Sequence, residues 1–361
     1  MASGGSNGRR GPGFLLTAQG WPYMLVPFIP LALALELAHA SATVIFFTAA
    51  LGIIPTAALM GQATEELAAR SGPGIGGLLN VTFGNAPELI IALLAVNEGL
   101  TEVVRGSLTG SVVGNLLLVL GFSLLFGGRG ELDRESSFLS IGLVALATVL
   151  LLIPSVPGWD GDPERHSLVV VSVPVSIVLL LIYLGATWIS LRRHRLLHIS
   201  DESPQMAGWS FKMAMGVLGV ATVVTALIAE IVVGSIEVFA HDVGLTEFFV
   251  AAVIVAIVGN AAEHGGAVVV AARGQIKLAA EIALASSAQV AVFLIPAVTL
   301  LALLIDPLSL AMRPVEIAAL ALGTLITFVL LVQGRSSRAR GVVLIASYVA
   351  VAVAFFLSGD R

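Results

Sequence analysis

The chain has 361 residues, of which 57% are hydrophobic and only 11% charged, too few charges to clothe a soluble globule of this size, so most of it must sit in lipid. Its 23 acidic and 18 basic residues give a net charge of -5, spread too thinly for a nucleic-acid-binding block. Cysteine is absent, which excludes disulfide frameworks, thiolate metal sites and cysteine nucleophiles.

Residues 1–21, with Arg9 and Arg10 among Gly, Ser and Pro, read as a short cytoplasmic tail without a cleavage pattern ahead of the apolar run. A spanning helix needs about 20 mainly apolar residues. On that criterion eleven spans are expected, near 22–40, 42–66, 75–97, 103–127, 137–154, 167–191, 209–240, 246–272, 278–305, 314–333 and 341–358. Backbone hydrogen bonding in lipid makes helices the plausible spans, so the fold class is an all-α integral membrane bundle. The longest polar connection, Arg192 to Gln205 (RRHRLLHISDESPQ), divides the chain roughly in half. This organisation gives a first transmembrane helix (22–40), a first five-helix unit (41–191), a cytoplasmic linker (192–208) and a second five-helix unit (209–361).

The positive-inside rule orients the bundle. With the N-terminus cytoplasmic, fourteen of the 18 Lys and Arg residues lie on the cytoplasmic side, against Arg105, Arg165, Arg313 and Arg361 on the other. The C-terminus is then outside. Compact loops favour a bacterial plasma (inner) membrane, with a vacuolar membrane as the alternative.

Gly84-Asn85-Ala86-Pro87-Glu88 in span three and Gly259-Asn260-Ala261-Ala262-Glu263 in span eight repeat one pattern, once in each half. Five spans separate the copies, so they run in opposite directions, which is the inverted-repeat architecture of many secondary transporters. Asn85 with Glu88, and Asn260 with Glu263, stand at i and i+3 and share a helix face. A carboxylate near the middle of a bilayer costs about 2.5 kcal/mol or more on insertion scales, so such an acid is paired, protonated or part of an ion path. Gly84 and Gly259 loosen the helix before each Glu, and Pro87 cannot donate to Phe83. The following span in each half adds Ser111 with Asn115, and Ser286 with Gln289. These groups form an all-oxygen set suited to a hard cation such as Ca2+ and poor for Zn2+ or Cu2+. His264, directly after Glu263, has an ordinary pKa of about 6.5 and can relay protons. Glu281 reads as an acid at the cytoplasmic end of span nine reaching toward the headgroups.

The stretches "ATEELAARSG…GGLLNVTFGNAPELIIALLAV" and "AEIVVGSIE…VGNAAEHGGAVVVAARGQIKLAAEIALASSAQVAVFLIP" resemble the two signature repeats of the cation/proton exchanger (Ca2+/H+ antiporter) family, within the calcium/cation antiporter superfamily. The likeness runs from span two to span eleven. It implies a Ca2+/H+ antiporter with one extra N-terminal helix followed by two inverted five-helix repeats. By this resemblance Glu88 and Glu263 are the central carboxylates, Asn85, Asn260, Ser286 and Gln289 lie in the ion path, and Glu65 and Glu237 match acids near its mouths. Family members commonly carry Thr where this chain has Pro87.

The mechanism expected is alternating access, with Ca2+ and H+ competing for the two glutamates. Ca2+, H+ and the lipid bilayer are the partners expected, with no resident cofactor. A Na+-coupled or broader cation (Mn2+, Na+) antiporter, or a passive cation channel, are the alternatives. No His-Glu-x-x-His, Gly-x-Ser-x-Gly or paired intramembrane aspartates point to an enzyme.

Overall fold

The computed structural model describes residues 20–197 and 208–359. Most of the expected tail and most of the expected linker lie outside the described residues. A 3-10 turn, Trp21–Leu25, leads into α1 (Phe28–Leu37). Then come α2 (Ala42–Gly84), α3 (Ala86–Asn97), α4 (Thr101–Val113), α5 (Leu120–Gly127), strand β1 (Gly130–Glu131), α6 (Arg134–Gly158) and α7 (His166–Leu197). The second half holds α8 (Phe211–Val243), α9 (Glu247–Phe249), α10 (Ala256–Gly259), α11 (Ala261–Ala272), α12 (Ile276–Gln289), α13 (Ile295–Ala302), α14 (Pro314–Leu331), β2 (Arg335–Ser336) and α15 (Arg338–Leu357).

Among the described residues eight helices are long and apolar enough to cross a membrane, and nine if the bent pair Glu247–Gly259 and Ala261–Ala272 counts as one span. Trp21–Leu37 and Ala86–Asn97 are apolar but shorter. Where the sequence predicts separate spans at 42–66 and 75–97, the helical hydrogen bonding of α2 continues to Gly84. That run is not straight. Residues eight apart on a straight helix stand about 12 Å apart, yet a Cβ built on Gly76 would lie 2.4 Å from the carbonyl oxygen of Ala68. The chain turns back between them, across the Gly72-Pro73-Gly74 sequence, whose residues favour a reversal.

Large apolar side chains face outward on the peripheral helices: Val149 and Ile153 on α6, Leu181 and Leu184 on α7, Val220 and Val223 on α8, Leu325 and Val329 on α14, and Val349 and Val353 on α15. An apolar belt of this extent is unstable in water and stable against hydrocarbon. The α4–α5 run is the most enclosed span, with 83% of its apolar window buried, followed by α12–α13 with 67%. These are the runs that carry Ser111, Asn115, Ser286 and Gln289. Close backbone approach puts them there. A Cβ on Gly110 would lie 2.0 Å from the carbonyl oxygen of Ala252, so only glycine lets α4 meet the π-helical segment Val250–Val255.

Caps fix the ends where the chain leaves the bundle. Asp133 accepts from the Ser136 N–H at 3.1 Å to start α6, Ser210 from Met213 to start α8, and Ser337 from Arg340 to start α15. The Ser136 N–H, and secondarily Lys277, hold the Asp133 carboxyl below the usual carboxylate range. A short antiparallel pairing, Gly130 with Ser336 and Glu131 with Arg335, joins the two halves.

Candidate ion-binding site

The two motif copies adopt the same local structure. Asn85 (φ -105°, ψ 18°) separates α2 from α3, and Asn260 (φ -94°, ψ 2°) separates α10 from α11, where the axis bends by 58°. Each break leaves a new helix start, and Glu88 and Glu263 stand in the first turns of α3 and α11. Backbone N–H groups at a helix start favour a carboxylate there. The neighbouring spans match too. α4 passes into a π-helical turn, Gly114–Val119, and α12 into another, Val290–Leu294. Each wide turn begins within a residue of a predicted site residue, Asn115 in one half and Gln289 in the other, and π segments recur at functional positions.

The predicted polar groups meet across the two halves. Asn85 Nδ2 donates to Gln289 Oε1 at 3.3 Å, Asn260 Nδ2 donates to Ser111 Oγ at 3.0 Å, and Asn115 Nδ2 donates to Ser286 Oγ at 3.0 Å. Ser286 in turn donates to Glu263 Oε2 at 3.2 Å, giving a chain from Asn115 through Ser286 to Glu263. Ser287 ties the same two spans by donating to the Val112 carbonyl. Glu88 and Glu263 lie within electrostatic reach of one another.

The two carboxylates have different surroundings. Glu88 lines a cavity of about 10 Å³, room for roughly one water-sized sphere, with Ser107, Ser111 and Gly259. Gly259 borders the same space, where a Cβ would make ordinary contact with Glu88 Oε1 at 3.8 Å. The Glu88 side chain is half-buried, whereas that of Glu263 is exposed. Glu65, exposed on α2, is within electrostatic reach of it. Glu237 is exposed on α8 and bonds to none of the other site residues. Gly84 contributes backbone only, at the break before Asn85.

Four buried polar atoms here have no hydrogen-bond partner: Glu88 Oε2, Asn115 Oδ1, Asn260 Oδ1 and His264 Nε2. Leaving such atoms unpaired costs about 1–3 kcal/mol each, and three of the four are oxygens. Among the described residues no group of three or more His, Asp or Glu converges; the candidate residues offer two carboxylates with neutral amide and hydroxyl oxygens. That is the chemistry of a hard-cation site.

Sequence reasoning missed two features. Ser107 joins Ser111 on the Glu88 cavity, and its signal was present, since it stands four residues before Ser111 on one helix face. A buried ion network was missed as well. Arg105, 1% exposed, pairs with Glu102 at 2.7 Å and with Glu164, while Arg313 reaches Glu102 at 2.5 Å. The fully buried Glu316 accepts from Thr109 at 2.8 Å and from the Arg313 N–H at 2.7 Å.

Comparison with known proteins gives consistent matches. The model of the sodium/calcium exchanger protein family fits residues 41–192 and 213–357. The Ca2+/H+ antiporter ChaA of Bacillus subtilis is 37% identical over 356 residues, covering 95% of this chain and 98% of that one. A Ca2+/H+ antiporter of Synechocystis sp. is 36% identical over 362 residues, covering 92% and 96%. Among solved structures, native YfkE superposes with a TM-score of 0.80 at 36% identity, covering 93% of this chain and 99% of that one. The H+/Ca2+ exchanger CAX, at 14% identity and a TM-score of 0.71, shares the fold. With a family model that fits both halves and relatives aligned almost end to end, this chain belongs to the sodium/calcium exchanger protein family.

Proposed function

We propose that this protein is a secondary active antiporter that exchanges Ca2+ for H+ at one site built on Glu88 and Glu263. The observation that carries the reading is the set of unpartnered buried oxygens on Glu88, Asn115 and Asn260, gathered where side chains of both halves meet. A dication satisfies those oxygens and neutralises the two carboxylates. Two protons neutralise the same carboxylates, so either occupant excludes the other and exchange follows from competition. Relatives named Ca2+/H+ antiporters over nearly their whole length support the choice of ions.

The unequal surroundings of the two acids support alternating access. The Glu88 side chain is half-buried while that of Glu263 is exposed, and on this reading the site is reached from the Glu263 side. In the N-in orientation that side is cytoplasmic, where Glu65 stands near the mouth; Glu237 is assigned to the other mouth. His264, whose Nε2 has no partner, is assigned as a proton relay for Glu263. Trp21–Leu37 and the run ending in Ala86–Asn97 complete eleven spans, as one helix plus two inverted five-helix repeats, 41–191 and 209–361, in a bacterial plasma membrane.

The test is transport. Purified protein in liposomes with an imposed pH gradient is expected to accumulate Ca2+ against its own gradient, and a Na+ gradient alone is expected to drive no uptake. Uptake driven by Na+ and indifferent to pH would transfer the reading to Na+-coupled exchange, and uncoupled flux would make it a channel.

A further inference from the structure

A second site lies at the far end of the bundle from the outward ion network, where β1 and β2 pair. A recess of about 360 Å³ is lined there by Arg129, Arg335 and Arg340, with Glu131 as the acid among them. The arginines come from both halves of the chain and the strand pairing sets their spacing. Leu132 donates to the Gly334 carbonyl at 2.9 Å and Ser336 donates to the Gly128 carbonyl at 2.8 Å, which fixes both strands. The Arg340 guanidinium is held by the Arg335 carbonyl and, at 2.8 Å, by Gln333 Oε1. Arg129 and Arg335 are exposed and, among the described residues, have no ion-pair partner for their guanidiniums. Glu131 stands opposite Arg335 in the sheet register but forms no ion pair with it. Convergent positive charge outnumbers the acid in the recess, and planar guanidiniums match phosphate oxygens in pairs.

Exposed apolar side chains stand close in sequence to the recess arginines. Phe126, three residues before Arg129, is 56% exposed, and Val342 and Val343, just after Arg340, are 53% and 46% exposed. A recess of arginines with exposed apolar side chains on the adjoining helix ends fits an amphiphile better than a free anion. We propose that this recess binds the phosphate headgroup of an anionic phospholipid, whose acyl chains lie along Phe126, Val342 and Val343. A lipid held there bridges the two halves through the strand pair. The positive-inside reading places the recess on the cytoplasmic side, where anionic headgroups draw arginine.

The test is ligand-induced thermal stabilisation of the purified full chain in neutral detergent. Phosphatidylglycerol is expected to raise the melting temperature by about 3–5 °C, because it binds the folded state. Phosphatidylcholine and inorganic phosphate at the same concentration are expected to raise it by less than about 1 °C. The Arg129→Gln, Arg335→Gln double variant is expected to melt like the wild type without lipid and to lose most of the phosphatidylglycerol shift. Lys212→Gln, a charge change at an exposed position that does not line the recess, is expected to keep it. An undiminished shift in the double variant overturns the proposal, as does stabilisation by inorganic phosphate equal to that by the lipid. Should the double variant fail to fold, the two single variants carry the same test, and full shifts in both overturn the proposal equally.

Discussion

Glu88 and Glu263 occupy equivalent motif positions, yet only Glu263 accepts from a serine, Ser286, while Glu88 keeps one oxygen unpartnered. Replacement of either by Gln keeps the shape and removes the charge that the proposed exchange of dication for protons requires. Losing one charged ligand is worth on the order of 3 kcal/mol, about 100-fold in exchange rate or Ca2+ affinity. Glu88→Gln and Glu263→Gln are therefore each expected to lose at least about that much transport in liposomes, with melting temperature nearly unchanged. Ser286→Ala removes a donor and leaves the carboxylate, so a loss of about tenfold is expected. Glu281 sets the contrast. It lies within electrostatic reach of Lys277 and Asp133, and Glu281→Gln is expected to change transport by less than about threefold. Equal losses for Glu281 and Glu263 would place Glu281 in the site.

At the level of helices and strands, most of the candidate site was legible in the sequence, because the motif repeats. The paired Gly-Asn-x-x-Glu motifs named the two helix breaks, and the polar pairs one span later named the partners that meet them. The π-helical turns after Val113 and Gln289 were not legible, since one extra residue per turn leaves no mark on an apolar pattern that is hydrophobic all round. The reversal after Ser71 was legible in the Gly-Pro-Gly sequence, whereas the helical hydrogen bonding that persists through it to Gly84 was not. Contacts between distant segments were invisible for a different reason. Arg105, Glu164 and Arg313 look like scattered loop charges until folding joins them.

Two expectations belong to these elements. The approach of α4 to Ala252 leaves no room for a side chain at Gly110, so Gly110→Ala is expected to cost about 1–3 kcal/mol, read as a lower melting temperature or loss of monodisperse protein. Asp133 caps α6 with its carboxyl held below the usual range. The stabilisation it gives is present above the ordinary carboxylate pKa near 3.9 and is lost as pH falls through the lowered folded-state value. Because Asp133 is partly exposed, Asp133→Ala is expected to cost only about 0.5–1 kcal/mol near neutral pH, and its deficit should vanish in strong acid.

For the whole molecule, the ion network and the span count make separate claims. Arg105, Glu102, Glu164, Arg313 and Glu316 link α4, the connection after α6 and the start of α14. Breaking one member of a buried network strands its partners, so Arg105→Met is expected to lower stability by about 3–5 kcal/mol without a selective effect on ion preference. The inverted topology is tested by cysteine labelling, which the lack of native Cys makes direct. Single cysteines at the exposed positions Asp160 and Arg338 are expected to react from opposite sides of the membrane, and labelling of both from one side would contradict the proposed arrangement.

The central claim is that one pair of carboxylates holds either protons or the dication, and proton release on Ca2+ binding tests it most directly. Ca2+ added to the purified protein in weak buffer should release protons in proportion to the ion bound, and the Glu88→Gln, Glu263→Gln double variant should release almost none. By the same linkage, the apparent Ca2+ affinity of the wild type should weaken as pH falls, because protons occupy the carboxylates that the cation needs. Ca2+ binding without proton release, with an affinity that stays flat from mildly acidic to alkaline pH, would contradict a shared site.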